Sequence, residues 1–252
     1  MKHSIIYIGL CLLLGSCAIY TPQVAPPVLV EDKGDLQADI GGNISSFLIA
    51  PGLNGSIAYG FTDRIQAQAY ASYISSGTTH LQVMTGYKVN IDPRTNLKVF
   101  GGYFYGRGDV QYGSLFSRSR PRYVGTYQSL FGKIQLLRKR KIPNNTWGLS
   151  LTFGYFSPDY SVSYTREEPP GLQTVAERVT QNGLLLEPYL FYRHSFSGGF
   201  GVTVSYANCW IKPLDQLDNE YPNRYALDYN YFGNFGCSID YLIKSGSGKA
   251  RK

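Results

Sequence analysis

The sequence predicts an all-β chain closed into an antiparallel up-and-down transmembrane β-barrel of about ten strands. Three observations carry that prediction. The 252-residue chain is poor in charge, at 16% Asp, Glu, Lys and Arg, yet it holds 22 Tyr and 28 Gly. Soluble domains carry about a quarter charged residues, whereas a membrane barrel turns one face of every strand to lipid and rings both interfaces with aromatics. From residue 36 onward, segments of period-two polarity alternate with turn signals. The connections between those segments are short and long by turns.

The chain opens with Met1-Lys2-His3, a positive start, and an apolar run from Ile5 to Leu14 that is too short to span a bilayer permanently. Residues 1–16 are therefore read as a signal peptide. Leu14-Gly15-Ser16-Cys17 is similar to the lipobox of bacterial lipoproteins. That resemblance implies cleavage before Cys17 and acylation of Cys17, with palmitate-like chains anchoring the protein. A plain secretory signal with an incidental Cys is the alternative. Residues 17–33 are Pro-rich and are expected to form an extended linker. No charged cluster follows Cys17 closely, which in lipoproteins favours the inner face of the outer membrane and hence a periplasmic N-terminus. No later stretch is long and apolar enough for a membrane helix, so strands have to do any spanning.

The barrel is expected over 34–244, with strands at about 36–46, 53–61, 64–75, 79–89, 97–110, 125–137, 146–156, 183–196, 200–210 and 226–243, and a flexible basic tail over 245–252. In 64–75, Ile65, Ala67, Ala69, Ala71 and Tyr73 oppose Gln66, Gln68, Tyr70 and Ser72; in 146–156, Trp147, Leu149, Leu151, Phe153 and Tyr155 oppose Gly148, Ser150, Thr152 and Gly154. The segments 53–61, 97–110, 125–137, 183–196 and 200–210 alternate less strictly. Alternation alone does not say which face is inside, since lipocalin-like barrels also alternate. The chemistry of the polar face decides: it is mostly Gly, Ser, Thr, Asn and Gln, where a solvated exterior would carry Lys and Glu. The apolar face is therefore expected outward. The short connections (62–64, 90–96, 138–145 and 197–199) then fall at one end, and the other end takes five connections, four of them longer (47–52, 112–124, 157–182 and 211–225) and one a short exception (76–78).

On this register the lumen receives Asp39, Lys88, Lys98, Lys133, Glu187, Arg193 and Asp240. Asp39 and Asp240 lie on the first and last strands, which meet when the barrel closes, and Lys88, Lys98 and Arg193 are expected to approach them. An ion path and a structural salt-bridge network filling a narrow barrel are the two readings, the network being favoured because ten strands lie near the filled end of the size range. Catalysis is not expected. Ser195 follows His194, so the two point to opposite faces, and no carboxylate is placed to orient His80. No metal-ligand spacing, phosphate loop or dinucleotide fingerprint is present, and no cofactor is expected. The net charge of +7 is not organised into a basic stripe with interleaved aromatics, so no nucleic acid is expected as a partner. Cys209 and Cys237 are not expected to pair. Membrane lipid is the expected partner, with the outer loops 157–182 and 211–225 as the place for an extracellular ligand or protein.

Lys33-Gly34-Asp35-Leu36-Gln37, the Gly-rich hairpins and the turn Tyr59-Gly60-Phe61-Thr62-Asp63-Arg64 resemble lipid-anchored outer-membrane barrel proteins of the Bacteroides group, a family without a settled activity. The resemblance implies the fold and the location, and no ligand. The expected role is non-enzymatic, structural or surface-interacting. A small-solute channel and a periplasmic lipid-binding barrel are the alternatives.

Overall fold

The computed structural model describes residues 25–45, 50–75, 77–111, 122–139, 144–168, 171–180, 182–214, 229–230 and 233–245. The signal peptide, Cys17 and residues 18–24, and the tail from 246 on, lie outside them, as does most of 211–225.

The strands are β1 (Leu36–Ser45), β2 (Ala50–Gly60), β3 (Ile65–Ile74), β4 (Thr78–Asp92), β5 (Thr95–Gln111), β6 (Arg122–Lys139), β7 (Asn145–Glu168), β8 (Gly171–Val179), β9 (Gly183–Ser195), β10 (Phe200–Ala207), β11 (Trp210–Pro213), β12 (Tyr229–Asn230) and β13 (Asn234–Ile243). β10 and β11 both pair with β9 and form one wall strand broken at Asn208-Cys209; β12 and β13 likewise continue one another. β7 pairs with β9, and β13 with β1 in the register Leu36↔Ile243 to Ser45↔Asn234. These pairings close the sheet into an antiparallel barrel of ten strands.

The period-two pattern becomes an inside and an outside. Ile40, Leu53 and Leu130 are each more than two-thirds exposed, while Gln37, Lys98 and Asp240 are at most 1% exposed. Two belts of outward aromatics border the aliphatic band. Tyr59, Phe61, Tyr87, Trp147, Tyr192, Phe196 and Tyr241 lie toward the short-turn end, and Tyr73, Tyr103, Tyr105, Tyr155 and Phe235 toward the other. On β7, Trp147 and Tyr155 are eight residues apart, which at about 3.3 Å per residue and a tilt of about 40° is roughly 20 Å along the barrel axis, close to the apolar band of a membrane barrel. The reading of a periplasmic lipid-binding barrel needs its apolar face inward, and this wall has it outward.

Several strands run longer than the sequence pattern suggests. The region 90–96 is a tight turn, because the Asp92 side chain accepts the N–H groups of Arg94 at 2.7 Å and Thr95 at 2.8 Å and so closes the corner locally. The region 157–182, expected as a loop, is instead a β-hairpin: β7 continues to Glu168 and β8 returns beside it. Bidentate pairs fasten these outer extensions, Arg122 to Asp109 at 2.8 and 2.7 Å and Arg178 to Asp159 at 2.9 Å twice. Each pair holds its carboxyl below the usual carboxylate range, chiefly through the hydrogen bonds from the guanidinium.

Candidate functional site: the filled lumen

Of the segment expected as an extended linker, residues 25–33 are described, and residues 25–30 of it are buried inside the barrel. They run as an additional strand-like thread whose ladder partners are side chains of the wall. The Gln37 amide donates to Pro27 O (2.9 Å) while its oxygen accepts from Leu29 N (2.7 Å), much as a neighbouring strand would. Gln68 donates to Pro26 O at 3.0 Å and Gln135 to Val28 O at 3.4 Å. Lys98, wholly buried, donates to Val28 O (2.7 Å), Val30 O (2.8 Å) and Gln66 Oε1 (3.0 Å), using all three of its ammonium hydrogens. Lys88 donates to Glu31 O, and the Glu31 carboxylate pairs with Lys139 and accepts from Asn96 at 3.3 Å. Burial pushes the Glu31 carboxyl up, but Lys139, with Lys98 and Lys244 nearby, pulls it further down, so it stays below the usual range.

The composition of the thread suits this place. Pro26 and Pro27 have no N–H, so they bring no donor needing satisfaction into the lumen. Val28 and Val30 join a cluster with Met84 and Phe100, and Leu29 turns the other way onto Leu137, Tyr189 and Phe191. At Glu31–Asp35 the chain turns back into β1. Asp35 accepts the N–H groups of Glu31 and Asp32, each at 3.1 Å, and of Ser245 at 3.0 Å, tying the thread, β1 and the end of β13 together.

The expected charged residues all face the lumen, and all are buried. Arg193 reaches Asp240 side-on, with bonds of 2.9, 3.0 and 2.5 Å, and also donates to Ser195. Asp39, directly opposite Asp240 in the β1–β13 register, takes bonds from Gln37 (3.1 Å) and Ser56 (2.8 Å). Lys133 and Glu187 stand on either side of Thr152, and Lys133 lies 5.5 Å from the Tyr189 ring centre. The approach of Lys88 and Lys98 to the two aspartates is not what the geometry gives. Both lysines are spent on backbone carbonyls of the thread, which sequence reasoning had placed outside the barrel.

Beyond the thread, aromatic side chains fill the lumen. His80, Phe104, Tyr127, Phe131 and Phe156 form a continuous ring network, with His80–Phe104 centres 4.9 Å apart and Tyr127–Phe156 5.9 Å apart. The inward glycines make room for it. A Cβ on Gly106 would lie 2.0 Å from Tyr127 Cζ, and one on Gly86 would lie 2.3 Å from Phe100 Cδ1. Small polar residues were expected down the middle; large rings lie there too, each over a glycine or small residue of the neighbouring strand.

No constellation for covalent chemistry forms among the described residues. His194 Nδ1 lies 2.7 Å from Asn145 Oδ1, Ser195 is bound to Arg193, and His80 sits among rings. No group of three or more His, Cys, Asp or Glu positioned for a metal occurs among them either. Cys209 and Cys237 are both free thiols; Cys209 is buried and Cys237 exposed, so these two cysteines face opposite sides of the wall.

No protein-family model and no curated protein matches the chain. Among solved structures, the outer membrane protease OmpT from Escherichia coli is similar at 12% identity and a TM-score of 0.49, covering 83% of this chain and 94% of that one. A KdgM porin is similar at 7% identity and a TM-score of 0.40, covering 82% and 99%. The toluene transporter TodX from Pseudomonas putida is similar at 8% identity and a TM-score of 0.39, covering 90% and 95%. At such values the likeness carries no argument about what this chain does.

Proposed function

We propose that this chain is a bacterial outer-membrane β-barrel lipoprotein with a non-enzymatic structural or surface-interaction role, anchored through an acylated Cys17. In this reading the short-turn end faces the periplasm and the β7–β8 hairpin projects outside, where it offers the surface for a ligand or protein. Cys17 lies eight residues ahead of Ala25, and extended chain spans about 3.5 Å per residue, so an anchor there has roughly 28 Å of reach from the lumen. Two or more acyl chains make such an anchor stable, at about 0.8 kcal/mol per buried methylene. The lipid-anchored barrels of the Bacteroides group are the family proposed for it.

The observation that carries the reading is the filled lumen. The thread occupies one end and the aromatic network the other, while the apolar outer wall and the outer hairpin are turned toward other molecules. A small-solute channel needs a continuous aqueous path, and the filling argues against one. Single-channel recordings of the purified full chain test this: silence is expected, and steady unitary conductance would overturn it. Metabolic labelling with palmitate tests the anchor. Incorporation that disappears in Cys17→Ala is expected, and equal labelling of both chains, or of neither, counts against Cys17.

A further inference from the structure

Lys88 and Lys98 stand directly opposite one another in the β4–β5 register, both inward and both buried. Like charges at directly paired positions repel, and a buried ammonium without a counter-ion is among the most unfavourable groups a fold can hold. Lys139 adds a third cation at the same mouth, and Lys244 lies within electrostatic reach of Glu31. Lys139 and Lys244 are exposed, while Lys88 and Lys98 are buried. Against these four stand two carboxylates, Glu31, which pairs with Lys139, and Asp35, which also accepts three backbone N–H groups. The cluster therefore carries more positive than negative charge. Beside Glu31 and Lys139 opens a cavity of about 630 Å³, bordered by Asn144, Arg193, Ser195 and Lys244. That is space for a group much larger than a carboxylate.

We propose that this mouth is a binding site for an anionic ligand bearing a carboxylate or phosphate group, and that Glu31 occupies it as an internal substitute. The contacts made to Glu31 are those such a ligand needs: an ammonium from Lys139, an amide N–H from Asn96, and the field of Lys88 and Lys98 behind them. Arg193 is held by Asp240 and plays no direct part. A ligand entering from the cavity replaces the Glu31 carboxylate on Lys139 and Asn96. Lys98 and the glutamines keep residues 26–30 in place. The site does not depend on whether Cys17 is acylated or what the outer hairpin meets.

Inorganic phosphate is the probe, titrated by calorimetry into the full chain in neutral detergent at constant ionic strength. Removing the internal carboxylate with Glu31→Gln is expected to tighten phosphate binding at least tenfold. Adding Lys88→Met and Lys139→Met to that variant is expected to abolish the gain. Heat-modifiable gel migration reports that each barrel is folded; if the double lysine change prevents folding, Lys139→Gln alone in the Glu31→Gln background is expected to lose most of the gain. Vesicles with and without phosphatidylglycerol separate the sources. Competition between that lipid and phosphate identifies a headgroup ligand, and indifference identifies a soluble one. The proposal is overturned if Glu31→Gln binds phosphate no tighter than the parent, or if folded lysine variants keep the gain.

Discussion

Replacing Lys98 with Met keeps most of the buried stem and removes the ammonium that grips the thread. Two bonds to the thread are lost, at 2.7 Å to Val28 O and 2.8 Å to Val30 O. A hydrogen bond to a charged group contributes about 1.5–3 kcal/mol, and a carbonyl left buried without a donor costs about 1–3 kcal/mol. Val28 O keeps a longer bond from Gln135, at 3.4 Å, and the variant is relieved of desolvating a charge. These offsets cancel about one of the two bonds, so the thread should be weakened by about 2–3 kcal/mol, equal to roughly a 30- to 150-fold larger open population. The assay is labelling of Val28→Cys by a membrane-impermeant maleimide, with Cys209 and Cys237 changed to Ala. With Lys98 present the thiol should react slowly, and with Lys98→Met it should react 30- to 150-fold faster in a barrel that still shows heat-modifiable migration. Fast labelling with Lys98 intact, or an unchanged rate in the variant, would refute the reasoning.

Arg193→Met leaves the Asp240 carboxylate buried without its partner and should lower barrel stability by about 3–5 kcal/mol. Arg193→Met combined with Asp240→Asn should recover much of that, read as urea midpoints of heat-modifiable migration. Gly106→Ala places a methyl 2.0 Å from Tyr127 Cζ; the ring has to shift, and overpacking of this kind should lower the same midpoint by about 1–3 kcal/mol. Asp109 and Asp159 are held below the usual carboxylate range by their arginines. Their contribution to the outer extensions is therefore present above the free-carboxylate value of about 3.9 and fades as pH falls through the lower folded values. Amide exchange over 105–109 and 159–163, normalised to intrinsic rates, should be flat from neutral pH to about pH 4.5 and rise below pH 4. Asp109→Asn and Asp159→Asn should show the faster exchange already at neutral pH.

The wall was legible in the sequence because side-chain alternation has a period that only a strand satisfies. Ile40 with Asp39, or Trp147 with Ser150, announces both the strand and its two faces. The meeting of the first strand with the last was expected of a closed barrel, and the β1–β13 register places Asp39 against Asp240. The thread was not legible in the same way. Ala25-Pro26-Pro27-Val28-Leu29-Val30 lacks alternating polarity, and Pro-rich segments usually serve as solvated spacers. The signal available was the apolar run Val28–Val30, unusual for a solvated linker, together with an excess of inward lysines and glutamines on β1, β3, β4 and β5. The aromatic filling was hidden for another reason. Phe100, Phe104, Tyr127 and Phe131 share inward phases with glycines of neighbouring strands, and cross-strand neighbours are set by register, which periodicity within one strand does not contain.

What occupies the barrel decides whether it is a closed scaffold or a channel. An experimental structure of the full chain in lipid nanodiscs, at a resolution that traces side chains, measures this directly. Continuous density for residues 25–31 inside the wall, with the Lys98 ammonium on the carbonyls of Val28 and Val30, is the result expected. A water-filled lumen, with that segment lying outside the barrel, would contradict it.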